Sequence, residues 1–349
     1  MRIRYVIQIA LVVAVWCFMF IPEGGEWYAQ TAYPVLSAGL SRISSFFPFS
    51  LGDLFIYGSI AGLLFYALIA IIRRKGIRRM LRRVIVYLAW VYVWFYWAWG
   101  LNYYRDDFYT RTRLQRQTYS EEHFRSFLAA YTDSLNSAYC RPVALSAGLV
   151  DQEVKSVYRE LAAKYKLVPP RDYQQAKQML FSSLMSAVGV SGYIGPFFIE
   201  YNLNKDLLPV QYPATYAHEL AHVLGIANEA EANFYSYQVC IRSSVPEIRF
   251  SGYFSLFPYV ASNARRFLSK EDYQAWLEQV RPEVRHLYRE ETVHWQALYN
   301  PMVGEWQNAL YDFYLKGNRI SSGTANYSEV IALIMAETHL NGVASKHSF

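Results

Sequence analysis

Apolar positions along this chain follow two different patterns. In the first third they form unbroken runs. Residues 5–22, 54–72 and 84–101 are 18, 19 and 18 residues long and contain no charge. About 20 apolar residues in a helix cross a bilayer core of ~30 Å, so each run is expected to be a transmembrane helix. The first run could also be a cleaved signal peptide, since Arg2 and Arg4 precede it. The residues after it, Pro22-Glu23-Gly24-Gly25, lack a small-x-small cleavage site, which favours an uncleaved span. Beyond residue 105 apolar residues instead recur at helical spacing, as in Val154, Val157, Tyr158 and Leu161. Helices are expected from Ser120 toward Ala138, over 150–165 and over 171–188, and again from Tyr212 with breaks at Gly225, Pro246, Pro282, Pro301 and Gly317. Between them, Gly192 to Asn204 is aromatic, β-branched and bounded by glycine, and reads as a short strand or hairpin. The expected fold is mainly α: a membrane domain over 1–105, then one mostly helical domain with a small β element over 106–349.

Composition agrees with a chain that is part membrane and part globular. It is 53% hydrophobic and 17% aromatic, and its 18% charged residues fall below the roughly 25% of an ordinary soluble domain. Global disorder is excluded by that apolar content, and a disulfide scaffold by three cysteines in 349 residues. Residues 1–105 carry 11 Lys+Arg and 3 Asp+Glu, and the remainder carries 23 and 25. The basic pI therefore belongs to the membrane part, and no nucleic-acid partner is expected. Arg73, Arg74, Lys75, Arg78, Arg79, Arg82 and Arg83 sit between the second and third runs and mark that loop as cytoplasmic. The N-terminus is then inside as well. Leu36 to Phe47 is expected to lie along the interface, and the large domain outside the cytoplasm, in the periplasm of a bacterial inner membrane.

The chemistry concentrates at His218-Glu219-Leu220-Ala221-His222. Positions i and i+4 share a helix face, so His218 and His222 can hold one metal, with Glu219 beside them to deprotonate a bound water. Neutral imidazoles suit Zn²⁺, whose catalytic sites have three protein ligands plus water. Gly225 ends that helix, and Asn228 to Phe234 reads as a second one. Glu229 and Asn233 share its face, which offers Glu229 as third ligand and Asn233 as a hydrogen-bond partner for a liganding histidine. Glu231 points about 200° from Glu229 and stands as the alternative ligand.

His-Glu-x-x-His followed by Glu-x-x-x-Asn resembles the gluzincin-type zincin metallopeptidases, and the radiation-response and immunity-repressor-cleaving peptidases have a similar Glu-x-x-Ala-Asn run. The gap from His222 to Glu229 is shorter than in most gluzincins. At the metzincin third-ligand position this chain has Asn228, a poor zinc ligand. The full chain also resembles a bacterial family of uncharacterised membrane proteins. Three spans there end in a stretch like Trp99 to Arg105, and a segment like Gly192 to Asn204 precedes the zinc motif. The resemblance implies a membrane-anchored zinc peptidase acting on a peptide or protein substrate, with Glu219 as general base. The alternative is a non-catalytic zinc-binding membrane sensor or scaffold.

Gluzincins bind substrate along an edge strand, which places Phe197, Glu200, Asn202 and Asn204 as candidate substrate-binding residues. His286, His294, Tyr314 and Tyr327 are candidates to stabilise an oxyanion. His123, His339 and His347 read as surface residues. Cys140 and Cys240 either form a disulfide or remain separate thiols.

Overall fold

The computed structural model describes residues 3–116, 120–318, 320 and 329–346, with side chains placed as far as residue 338. Tyr327, His347 and the side chain of His339 lie outside the described residues. The chain is mainly helical and divides into two units. The first holds residues 1–106, 172–180 and 194–202; the second holds 107–171, 181–193 and 203–349.

In the first unit, the apolar runs become helices α1 (Ile3–Phe20), α3 (Leu51–Ile72) and α4 (Ile77–Ala98), with α2 (Tyr33–Ser44) between α1 and α3. Ser50 caps α3 by accepting from Asp53 N at 3.0 Å. Helices α1 and α3 are long and apolar enough to cross a membrane, and most of the apolar window of each is exposed. The third expected span differs. Helix α4 takes in Arg78, Arg79, Arg82 and Arg83 in its first turns and ends at Ala98, where a 3₁₀ turn over Gly100–Tyr104 begins. Its charge-free part, 84–98, is about 22 Å long at 1.5 Å per residue. Gln8 of α1 donates Nε2 to Val86 O of α4 at 2.7 Å, so its amide is satisfied between two apolar helices. At Gly25 a Cβ would lie 1.9 Å from Tyr104 O, so only glycine permits that approach.

Helix α2 is amphipathic in the reverse of the usual sense. It buries Ser37, Ser41 and Ser44 and exposes Val35, Leu36 and Ile43. The buried serines belong to a polar core. Lys177 Nζ donates to Glu200 Oε2 at 2.7 Å and to Ser44 Oγ at 2.8 Å, and the Glu200 carboxylate also accepts from Ser44 and Ser50 hydroxyls at 2.8 Å. The expected helix over 171–188 is replaced for this reason. Lys177 and Gln178 form strand β1, Tyr201 Oη donates to Gln174 O at 3.2 Å, and Asp53 Oδ2 accepts from Leu180 N at 2.8 Å. These long-range bonds hold the backbone extended, and helix returns only over Ser182–Ala187.

The hairpin expected over 192–204 forms as β2 (Gly192–Gly195) and β3 (Glu200–Leu203), and the sheet order is β1-β3-β2. β3 is therefore central and has no free edge. That corrects the expectation that the Phe197–Asn204 stretch supplies an edge strand; the two edges belong to β1 and β2.

The second unit follows the sequence reading closely. Its helices are α5 (Glu121–Ala138), α6 (Ala147–Tyr165), α7 (Tyr212–Val223), α8 (Glu229–Cys240), α9 (Pro246–Phe267), α10 (Lys270–Gln279), α11 (Pro282–Leu298), α12 (Pro301–Gly317) and α13 (Val330–Lys346). Ser120 caps α5 through His123 N at 3.3 Å, and proline stands in the first turn of α7, α9, α11 and α12. Helices α7 and α8 form the centre, and α9 packs against both of them. Gly252 on α9 allows a backbone approach that a Cβ would block, 2.6 Å from Cys240 Cβ. Cys140 and Cys240 are both free thiols.

Substituting Lys177→Met strands the buried Glu200 carboxylate. Stability should fall by about 3–5 kcal/mol, and the added change Glu200→Leu should recover much of it. Thermal unfolding of the two variants measures both effects.

Candidate metal centre

Helix α7 ends in a tight reversal. Ile226 N donates to Ala221 O and Gly225 N to His222 O, both at 3.1 Å, with Gly225 at φ 91°. This pair of bonds is the Schellman cap, and the left-handed φ is accessible to glycine without strain. Two residues later Asn228 caps α8 by accepting from Glu231 N at 3.0 Å. Asn228, at the metzincin ligand position, is thus a helix cap. Glu229 is the first residue of α8, where a carboxylate is favoured by the helix dipole.

The reversal brings three donor atoms together. His218 Nε2 and His222 Nε2 lie 3.2 Å apart, and Glu229 Oε2 lies 3.1 Å from the first and 3.5 Å from the second. Tetrahedral zinc with ligands at about 2.0–2.1 Å holds them about 3.3–3.4 Å apart, so the donor set fits such an ion in both chemistry and spacing. His222, Glu229 and their neighbour Glu219 are buried, and His218 is partly exposed. Each imidazole is fixed from behind. His218 Nδ1 meets Asn233 Oδ1 at 2.9 Å, and His222 Nδ1 meets Ile226 O at 2.7 Å. Both contacts favour the proton on Nδ1 and leave Nε2 as donor toward a metal.

Glu229 has a further partner that the sequence did not indicate. Tyr311 Oη, from α12, donates to Glu229 Oε1 at 2.7 Å, while Oε2 faces the histidines. Tyr259, from α9, stands beside Asn233, and burial pushes its phenol up to about 12. Nothing in a single sequence with 31 tyrosines distinguishes these two.

Burial opposes charge on His222, Glu229 and Glu219, and neighbouring charges offset it. On His222 the nearby Glu229 carboxylate outweighs desolvation and lifts the imidazole to about 9. Desolvation also raises Glu229, but the two histidines reverse it and hold the carboxyl well below its usual range. A metal held by these groups would displace a proton, as neutral-imidazole sites generally require. Glu219 is raised by burial, its largest influence, with the histidines opposing. Its Oε2 is buried with no hydrogen-bond partner among the described residues. Its Oε1 lies against Gly192, where a Cβ would come within 2.4 Å.

The other expected site residues are placed elsewhere. Glu231 points away from the cluster and forms a buried ion pair with Arg111. Glu200 is buried and engaged by Lys177 and the serines. Phe197 is buried and packs on Phe55 with centroids 4.6 Å apart. Asn204 donates Nδ2 to Ser186 Oγ at 2.8 Å and Val190 O at 2.9 Å, a loop-fixing role. Asn202 is fully buried with no partner for its amide among the described residues. His286 is exposed beside Glu290, His294 contacts Asp206 O at 2.7 Å, and Tyr314 stacks on Tyr311.

The cluster lies within a family match that spans most of the chain. The chain belongs to the family described as "Protein of unknown function (DUF3810)", matched over residues 28–335. The DUF3810 match takes in the three donors, Glu219, Asn233 and Tyr311. Nothing among the curated proteins or the solved structures matches the chain.

Replacing His218, His222 or Glu229 with Ala should remove most bound zinc, whereas Glu231→Ala should cost stability through Arg111 and leave metal content unchanged. Elemental analysis of the purified variants reads the first effect and thermal unfolding the second.

Proposed function

We propose that this DUF3810 protein is a membrane-anchored, zinc-dependent peptidase. The observation that carries this reading is the convergence of His218, His222 and Glu229 around one point, with Glu219 buried next to it and its Oε2 unpartnered among the described residues. A zinc site that serves only structure is normally closed by four protein ligands, and the cluster offers three. When bound, zinc supplies Lewis-acid chemistry, polarising a peptide carbonyl and acidifying a water.

The chain's own residues supply the rest. Glu219 accepts the proton of the attacking water and returns it to the leaving amine. Its raised pKa brings its basicity closer to what proton transfer near neutral pH needs. Asn233 and Ile226 keep both imidazoles oriented, and Tyr311 fixes Glu229 through the oxygen that faces away from the histidines. Gly192 opens the free-edged strand β2 against the Glu219 carboxylate. An extended peptide added to that edge would present its backbone beside the base. This replaces Phe197 to Asn204 as the substrate strand.

The membrane part of the proposal rests on α1 and α3, with the apolar part of α4 returning the chain across the bilayer. The arginine-rich stretch 73–83 is then cytoplasmic, and the second unit lies outside the cytoplasm. The outward-facing Val35, Leu36 and Ile43 of α2 suit an apolar surrounding. A reporter fused after Phe349 should be active only outside the cytoplasm, and one near Gly76 only inside. The reverse pattern would overturn the orientation.

Glu219→Gln tests the chemistry. It preserves size and removes the base, so zinc content and fold should be unchanged while hydrolysis of a peptide library falls by a factor on the order of 10²–10⁴. Equal turnover in wild type and variant would exclude Glu219 as the base.

A further inference from the structure

Away from the metal cluster, helices α9, α10 and α11 line an open pocket of about 530 Å³, with Arg265 and Arg289 exposed at its mouth. That volume lies within the roughly 300–1,000 Å³ of small-molecule sites. Three guanidiniums line it, from Arg265, Arg285 and Arg289, against a single carboxylate, Glu278. Three aromatic rings stand in the rest of the wall, among small, aliphatic and polar residues. Phe257 and Tyr288 meet edge to face at 5.1 Å, and Tyr273 stands beside them.

The arginines are not neutralised by the protein. On α11, Glu283 pairs with Arg281 at 3.2 Å, Glu290 with His286 at 3.2 Å, and Glu291 accepts from Gln211 Nε2 at 2.6 Å. Neither the Arg285 nor the Arg289 side chain has a hydrogen bond or ion pair to a described residue, and Arg285 Nε is buried without a partner. Arg265 is held in place by its own Nε bond to Tyr273 Oη at 3.1 Å. A buried guanidinium N–H left unmatched costs free energy, which an anionic ligand would offset.

We propose that this cavity is a binding site for a small organic phosphate carried on an aromatic or apolar body. Three guanidiniums facing one carboxylate match a dianion with three acceptor oxygens better than a monoanionic carboxylate, which one bidentate arginine satisfies. The wall formed by Phe257, Tyr273 and Tyr288 receives the body of the ligand. The site is independent of the peptidase reading, because it shares no residue with the metal cluster.

Phenyl phosphate is the probe, titrated calorimetrically into the full chain in a maltoside detergent. Inorganic phosphate, benzoate and phenol are the comparison ligands. Phenyl phosphate should bind at one site per chain, with each comparison ligand at least about tenfold weaker. The double change Arg285→Gln and Arg289→Gln should weaken phenyl phosphate by about tenfold or more. Arg281→Gln, on the same helix but outside the cavity, should leave it unchanged. Both arginines in the double variant lack protein partners, so its melting temperature should match wild type, and a thermal scan verifies this. Three results would overturn the proposal. These are no binding by wild type, equal binding by the double variant, or binding lost in His218→Ala and retained in the arginine variant, which would place the phosphate at the metal cluster.

Discussion

The candidate site depends on one backbone reversal. Helix α7 alone can place His218 and His222 on a common face, but two imidazoles do not make a three-donor site. The third donor arrives because the chain turns back at Gly225 and begins α8 at Glu229. The cap that ends α7 also does chemical work, since Ile226 closes it with its N–H and orients His222 with its carbonyl. One short segment thus terminates a helix, aims a ligand and starts the helix that carries the next ligand. A residue with a Cβ at 225 would strain this segment first, and the donor geometry with it.

Charge is the second constraint on the same place. Three ionisable side chains beside Glu219 are packed where water is scarce, and each would be unfavourable alone. Glu229 meets this by facing both histidines with one oxygen while Tyr311 donates to the other. Two residues on, Glu231 is equally buried but is neutralised by Arg111. Two glutamates so close in sequence are thereby given separate counter-charges and cannot exchange roles. The first unit uses the same device at Lys177 and Glu200, held by serine hydroxyls from α2 and the start of α3.

What the sequence revealed, and what it did not, follows from the range of the interactions. His218, His222, Glu229 and Asn233 were legible because helix periodicity alone sets which of them share a face. The cap at Ser120 and the proline starts were legible because they are local backbone chemistry. Tyr311 and Tyr259 were not, because they reach the cluster from helices far along the chain and tyrosine is abundant. The 171–188 segment has helical spacing, yet tertiary bonds from Gln174, Lys177 and Leu180 hold much of it extended. The bounds of the third apolar run were not legible, because its helix begins in the preceding arginines and stops at Ala98 rather than Leu101.

The closeness of the donors in sequence also bears on how the protein folds. Residues 218–233 contain all three donors and the asparagine behind them, so forming the cluster closes only a short loop. Loop-closure entropy rises with the length enclosed, and contacts between sequence neighbours tend to form early. The α7–α8 corner can therefore assemble before α12 arrives with Tyr311. A metal ion present at that stage would bind a helical hairpin and stabilise it, giving the rest of the second unit a rigid nucleus to pack upon.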